Sequence, residues 1–405
     1  MVHGKKTRYY LARILFSQRD PAKLKARSTR GNLENVPSHR VAIFRKRLLS
    51  YSETFIADQG QFLPSYKPVY CGYETDDSGK EMISGSDRVL LQQQSLLPGI
   101  SKLLLRNGFN GGEQWLTKIA SFEPELIHAH FFNDGVDAVH MARRLGLPLI
   151  TTVHGHDLTK HGNAGAQIRL RENFFAQVDC IVAVSKFMAN QALQRGCPEH
   201  KIRQHYIGID LKKFSREKAE SENPSVLFVG RLVEKKGCTY LLQALETLRD
   251  RFPDLQLTVV GEGSLRHVLQ QEADNRGIRV EFTGSEPAAS IRDRLAKSWL
   301  FAAPSITAGS GDTEGLGMVF LEAQALQTPV VSFRSGGVVE AVEDGLSGLL
   351  SDEKDVASLA DNIASLLENS SLRHNMGAEG RKRVDQYFDV RKQCAELERI
   401  YDGLC

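Results

Sequence analysis

The sequence predicts an α/β protein made of two doubly wound, parallel-sheet domains. Three observations carry that expectation. The chain has 405 residues, which fits two or three domains at about 150 residues each. From residue 39 short apolar runs alternate with helical patterns, the signature of parallel strands joined by crossover helices. That rhythm lapses once, in KKFSREKAESENPS, and then restarts. A composition of 41% hydrophobic and 25% charged residues supplies more than one core and excludes global disorder.

Residues 1–37 show little periodicity and read as a basic extension. Within it Tyr9, Tyr10, Leu11, Ile14, Leu15 and Phe16 sit among lysines and arginines, the pattern of a short interfacial helix. A first domain is expected over 38–210, with strands at 41–44, 68–73, 126–131, 148–153 and 180–184. Each is short, rich in β-branched or aromatic residues, and apolar enough to be buried. Helices are expected at 134–145 and 186–195, closed by Gly146 and Gly196. The polar run at 211–224, with its single proline, reads as a linker. A second domain follows over 225–384, with strands at 226–229, 255–260, 280–283, 299–303, 329–333 and 348–350. Helical patterns at 356–368 and 385–401 end the chain, and the segment 385–405 is expected to cross back to the first domain. In open parallel sheets, ligands bind beyond the carboxyl ends of the strands, so two such domains frame a cleft.

The net charge of +3 hides an asymmetry. Residues 1–47 hold 13 lysines or arginines against Asp20 and Glu34, a local +11, so the remaining 358 residues carry −8. A basic arm on an acidic body points to an anionic partner or to a solvated tail. The six cysteines, at 71, 180, 197, 238, 394 and 405, form no CxxC pair. They are expected to be reduced and mostly buried, in a cytoplasmic protein. No run approaches the roughly 18 apolar residues of a membrane span. The basic N-terminus lacks the apolar run and cleavage site of a secretory signal.

Four segments carry residues suited to chemistry. GRLVEKKG places Arg231 at a strand's carboxyl end and Lys235, Lys236 and Gly237 at a helix start. Cations at a helix N-terminus suit a diphosphate, although a solvated basic helix start is the plain alternative. The loop is not a P-loop, and Gly261-Glu262-Gly263 lacks the third glycine of a dinucleotide fingerprint, since position 266 is Arg. It reads as a tight turn, and no nicotinamide cofactor is expected.

In GDTEGLGMVFLEAQA, Gly315 and Gly317 bracket Leu316 just before a helix. They let backbone amides approach a ligand, with the helix N–H groups behind them. Glu314 in the loop and Glu322 a turn into the helix can both face the cleft and bind hydroxyls. His128 and His130 lie on one strand, on the same side by alternation. His154, His156 and Asp157 follow another strand in VHGHDL. Without an acidic or cysteine cluster beside them, the histidines are read as hydrogen-bonding groups towards a polyol rather than metal ligands, and His161 as a surface residue. In RKRLLSYSETFIADQ, Ser52 and Thr54 precede a helical run, placed either to cap it or to touch a ligand.

Together these motifs resemble a retaining glycosyltransferase of family 4 with the GT-B fold, from about residue 39 onward. The resemblance rests on GRLVEKKG, VVGEG, FTG, EGLGMVFLEA and TPVVSFRSGGVVEAVEDGLSGLL, with SETFI, LIHAHF, VHGHD, AVSKF and YIGID in the first half. SETFI is similar to the loop of enzymes that build bacterial surface polysaccharides. The resemblance implies a nucleotide diphosphosugar donor, UDP- or GDP-linked, no cofactor, and transfer without a metal. It implies that Arg231 and Lys236 hold the donor diphosphate and that Glu322 binds the ribose. Glu314 and the amides of Gly315, Leu316 and Gly317 would hold the sugar, and Gly284 would lie near the base. His154 would reach the sugar from the opposite domain, with Asp157 and the SETFI loop towards the acceptor. Many members carry a Gly-Gly pair in the first loop; here SYSETF replaces it, and Ser52 and Thr54 are expected to substitute by hydroxyl contact.

The implied acceptor is a saccharide, lipid-linked at the inner face of a membrane, where the basic arm would dock. Two other readings stay open on sequence alone. One is a nucleotide-sugar 2-epimerase of the same fold. The other is a protein that binds nucleic acid or membrane through its arm, although no helix-turn-helix, zinc finger or aromatic-basic sheet motif is present.

Overall fold

The computed structural model describes residues 39–50, 53–106, 109–159, 165–214 and 220–405. The basic extension 1–37, Ser52 and His161 therefore lie outside the described residues.

Among the described residues thirteen strands form two sheets. The first contains β1 (His39–Leu48), β2 (Tyr66–Thr75), β3 (Asp87–Leu90), β4 (Leu126–His130), β5 (Leu149–Val153), β6 (Cys180–Ala183) and β7 (Ile202–Gln204). Their order is β3-β2-β1-β4-β5-β6-β7, all parallel. The second contains β8 (Ser225–Val229), β9 (Gln256–Val260), β10 (Val280–Gly284), β11 (Leu300–Ala302), β12 (Val330–Phe333) and β13 (Gly348–Ser351). Its order is β10-β9-β8-β11-β12-β13, again parallel. Both sheets are doubly wound, with the strand order reversing beside β1 and beside β8. This is the GT-B architecture. Both sheets belong to one unit, residues 37–405.

All eleven expected strands are present. Two more, β3 and β7, were not expected. Their sequences, DRVL and IRQ, are short and half polar because each is a sheet edge and needs no apolar cover on both faces. Central strands show the opposite pattern. Ala42 of β1 pairs with Val69 on one side and Ile127 on the other, and all three are fully buried.

The expected helix over 385–401 is two helices. Ser370–Tyr387 ends at Phe388, and Val390–Asp402 starts under the cap of Asp389, whose side chain accepts from the Arg391 amide. At the break the chain runs alongside its own earlier passage between the domains. Ile209 N donates to Phe388 O at 2.8 Å and Val390 N to Ile209 O at 3.0 Å. Gly208 allows this approach, since a Cβ there would lie 2.4 Å from Val390 Cα. Helix Val390–Asp402 then lies on the first sheet. Val390, Cys394, Leu397 and Tyr401 pack with Val41, Ile43, Leu126 and Ile150. The opposite face of that sheet buries Phe44, Tyr73 and Trp115. No disulfide joins the six cysteines; five are buried and Cys405 is exposed. Among the described residues no helix is long and apolar enough to cross a membrane.

Candidate active site

The GRLVEKKG segment leaves the carboxyl end of β8. The helix expected at Lys235 starts later, at Cys238; Glu234–Lys236 form a 3-10 turn instead. Gly237 makes this possible with φ +67, and a Cβ there would meet Pro304 O at 1.8 Å. The two lysines then diverge. Lys235 is buried and donates to Asp312 Oδ1 at 3.0 Å and Thr313 O at 3.4 Å, so it ties two loops together. The Lys236 stem passes over Gly230, and its Nζ donates to Glu314 Oε2 at 2.6 Å. Arg231 is exposed, and its guanidinium pairs with no carboxylate among the described residues. The Gly261-Glu262-Gly263 turn packs directly on this loop. Gly261 N donates to Gly284 O at 2.8 Å, and Leu232 N to Glu262 O at 2.9 Å.

The segment carrying Glu314 is wedged between the domains. Ser185 Oγ, from the first domain, donates to Gly315 O at 2.6 Å. A Cβ on Gly315 would lie 1.9 Å from His154 O, so only glycine fits. Behind it, Gly337 N donates to Glu314 O at 2.9 Å, and a Cβ on Gly337 would lie 1.9 Å from Gly315 O. Gly317, at φ +86, sits at the N-cap of helix Met318–Ala325. The amides of Gly315, Leu316 and Gly317 donate to no acceptor among the described residues. Three free N–H groups at a helix N-terminus, with two cations beside them, form a ready anion and hydroxyl site.

The two glutamates are shifted in opposite directions. Burial alone would raise the Glu314 carboxyl, but Lys236, Lys235 and Arg231 outweigh it and hold it at about 2. Glu322 has no such partner. Burial pushes its carboxyl up to about 7, with Arg292 pulling down and Asp58 of the first domain pushing up. Glu322 accepts no hydrogen bond from a described residue, which leaves both oxygens for a ligand.

His154 faces this loop from the carboxyl end of β5. Its ring lies between Phe131 and Phe55, with centroids 4.4 and 5.0 Å away. Its Nε2 is 3.2 Å from Nδ1 of His130. Burial, reinforced by the positive charge of Arg45, keeps His154 neutral. Asp157 lies behind it rather than in the cleft. It is 2% exposed, and its carboxylate accepts from the amides of Phe132, His154 and Gly155 at 2.9, 3.1 and 2.8 Å. It therefore shapes the His154 loop. His128 lies deeper still, with Nδ1 at 2.6 Å from Tyr401 Oη and Nε2 at 2.6 Å from Thr152 Oγ1. Burial lowers it to about 3. His156 is exposed at the mouth. Among the described residues no three His, Cys, Asp or Glu side chains gather as a metal site.

The first loop corrects one expectation. Glu53, not Thr54, occupies the N-cap of helix Thr54–Gln61, with no side-chain capping bond. Glu53 is held instead by Arg45, which also pairs with Asp134 and lies 4.3 Å over the Phe131 ring. Thr54 is exposed beside Phe55.

The structure thus gathers Arg231, Lys236, Glu314, Gly315, Leu316, Gly317 and His154 at one junction, with Glu322 on the adjoining helix and Gly284 behind the β8 loop. Sequence reasoning missed Gly336 and Gly337, which let Glu314 turn, and Glu340. The Glu340 carboxylate crosses the domain interface to accept from the amides of Lys186 and Phe187, each at 2.8 Å, and from the Tyr206 hydroxyl at 3.0 Å. The Gly-Gly pair was the available signal for the first two; nothing local marks Glu340.

Comparison with known proteins agrees with this fold. Residues 210–383 match the family described as Glycosyl transferases group 1, and residues 75–213 match Glycosyltransferase Family 4. The chain is 32% identical over 277 residues to a GDP-mannose-dependent alpha-(1-6)-phosphatidylinositol monomannoside mannosyltransferase of Mycolicibacterium smegmatis, covering 65% of this chain and 72% of that protein. It is 29% identical to the putative colanic acid biosynthesis glycosyltransferase WcaL of Escherichia coli, covering 70% of this chain and 71% of that one. Among solved structures, HepE of Anabaena with UDP and glucose superposes with a TM-score of 0.73 at 19% identity, over 90% of this chain and 100% of that one. Sucrose-phosphate synthase of Thermosynechococcus elongatus gives 0.70 at 20% identity, over 90% and 99%.

Proposed function

The chain belongs to glycosyltransferase family 4, and from that premise we propose that it moves a hexosyl unit from a nucleotide diphosphosugar to a saccharide acceptor, with retention and without a metal. The observation that carries the reading is the Lys236–Glu314 pair beside the free amides of Gly315, Leu316 and Gly317. Breaking a sugar–phosphate bond leaves new negative charge on the diphosphate. Arg231, Lys236 and the N-terminus of helix Met318–Ala325 stabilise that charge where it develops, the task a divalent ion performs in other transferases. Glu314, ionised and fixed by Lys236, accepts from sugar hydroxyls, and Glu322 accepts from the ribose. Neutral His154 reaches the sugar from the other domain. The acceptor hydroxyl attacks on the leaving-group face. Its proton passes to the departing phosphate oxygen as the new glycosidic bond forms, so no enzymic base is needed.

The relative named for GDP-mannose and phosphatidylinositol monomannoside supports a hexosyl donor and a lipid-linked acceptor, and the one named for colanic acid biosynthesis supports a place in polysaccharide synthesis. The +11 segment at residues 1–47 supports a position at an anionic membrane surface. The test is a panel of UDP- and GDP-sugars with EDTA present, read by thermal stabilisation and release of nucleotide diphosphate. One donor at about 100 times its Kd should add about 2.7 kcal/mol and be turned over. Silence towards every donor, with or without Mg²⁺ or Mn²⁺, would overturn the reading.

A further inference from the structure

We propose that helices Leu91–Gln94 and Pro98–Arg106, with Leu96, Leu97 and Phe109, form a bilayer-docking surface that inserts aliphatic side chains into an anionic leaflet. Of the twelve large apolar side chains that are exposed among the described residues, five fall within 96–109. They are Leu96 at 99%, Leu97 at 61%, Ile100 at 55%, Leu103 at 61% and Phe109 at 62% exposure. Soluble surfaces scatter such residues singly; a cluster marks an interaction site.

The segment is built, not loose. Leu91 of helix Leu91–Gln94 and Leu105 of helix Pro98–Arg106 are buried. The hydroxyls of Ser95 and Ser101 meet at 2.7 Å between the two helices. Ile100 and Leu103 lie three residues apart, on one helical face.

Charge and position identify the occupant. From 88 to 112 the sequence contains Arg88, Lys102 and Arg106 and no Asp or Glu, inside a body that is otherwise acidic. Arg88 is exposed. Lys102 lies over the Tyr73 ring at 5.4 Å, and Arg106 Nε approaches Asp137 at 3.3 Å. Leucine and isoleucine with basic flanks are the chemistry of an interfacial helix. A protein interface would favour Tyr, Trp and Met instead. The segment also leaves the carboxyl end of β3. In an all-parallel sheet that is the end from which the β1 and β5 loops reach the cleft. A docked protein would therefore turn its acceptor side towards the membrane. The inference extends the reading of a lipid-linked acceptor but is tested apart from it.

The full chain is floated with phosphatidylglycerol-rich and with pure phosphatidylcholine vesicles, alongside Leu97→Glu/Ile100→Glu and the milder Leu96→Ser. The wild type should partition to the anionic vesicles. The double variant should partition at least about tenfold less and Leu96→Ser about twofold less, with unchanged melting temperature and unchanged stabilisation by donor. Partitioning of the double variant within twofold of wild type overturns the proposal. So does a wild-type dimer in light scattering that the double variant dissolves, since a second copy would then cover the face. If no donor stabilises any form while the vesicle difference holds, the transferase reading fails and the docking surface stands.

Discussion

Lys236→Met is the sharpest perturbation of the site. In the wild type the Glu314 carboxyl is held at about 2 from a usual 4.5, which corresponds to about 3 kcal/mol favouring the ionised form. Burial opposes that shift, and Lys236 is the largest of the three cations that produce it. Removing Lys236 leaves a carboxylate, 13% exposed, with only Lys235 and Arg231 nearby. The expected loss at pH 7 is about 2 kcal/mol of stability, read as a lower urea midpoint. Glu314→Gln should lose a similar amount. The double variant should lose less than their sum, by about 1.5 kcal/mol. A carboxyl held low stabilises fully above its unfolded value, and that contribution disappears as pH falls from about 4.5 to about 2; the coupling should shrink over that window. Turnover in Lys236→Met should fall about 10²–10³-fold, the effect of removing one transition-state donor. Additive stability losses at pH 7, or wild-type turnover, would refute both the electrostatic account of the pair and its role.

Other expectations follow from the same geometry. The Glu322 carboxyl sits at about 7 because burial penalises its charge, so the penalty is absent below about 4.5, grows between about 4.5 and 7 and is complete above 7. Glu322→Gln should match the wild type near pH 4 and exceed it by about 1–2 kcal/mol near pH 8, while losing stabilisation by donor; equal pH profiles would refute this. Gly315→Ala must displace the His154 carbonyl 1.9 Å away, so turnover should fall at least about tenfold with each domain still folded by circular dichroism. Tyr401→Phe removes the 2.6 Å contact with buried His128 and should cost about 1–2 kcal/mol in thermal unfolding, although Tyr401 lies in the last helix and His128 in the first sheet. Glu340→Gln weakens the acceptor of two amides and a hydroxyl across the interface and should raise proteolysis between the domains, with donor affinity nearly intact.

How much of this was legible depended on whether the cause was local. Central strands such as SVLFV announce themselves because both faces are buried, so every residue is apolar. DRVL and IRQ were unreadable for the converse reason. Glycines 315 and 317 pointed to the anion site because close backbone approach restricts residue type in the sequence itself. Partnerships across long separations left no such mark. Arg45, which holds Glu53, also reaches Asp134, 89 positions away, Asp157 accepts from the Phe132 amide 25 positions away, and Glu340 bonds residues 154 and 153 positions away. The resemblance placed Asp157 and the SETFI loop towards the acceptor; their surroundings put Thr54 in the first turn of a helix and Asp157 in support of the His154 loop. The motifs AVSKF and YIGID belonged to the resemblance, yet only the fold shows that they contribute Ser185, Tyr206 and Gly208 to the junction and the paired crossing.

That paired crossing fixes the order in which the protein can be finished during synthesis. The second sheet and its helices occupy one continuous stretch, 225–387, and can close as soon as it is made. The first sheet is translated earlier but completes later. Val41, Ile43, Leu126 and Ile150 lack the cover of Val390, Cys394, Leu397 and Tyr401 until Val390–Asp402 arrives. A nascent chain halted near residue 387 would therefore carry a finished second domain joined to a half-covered partner, with an apolar face open to chaperones or to other nascent chains.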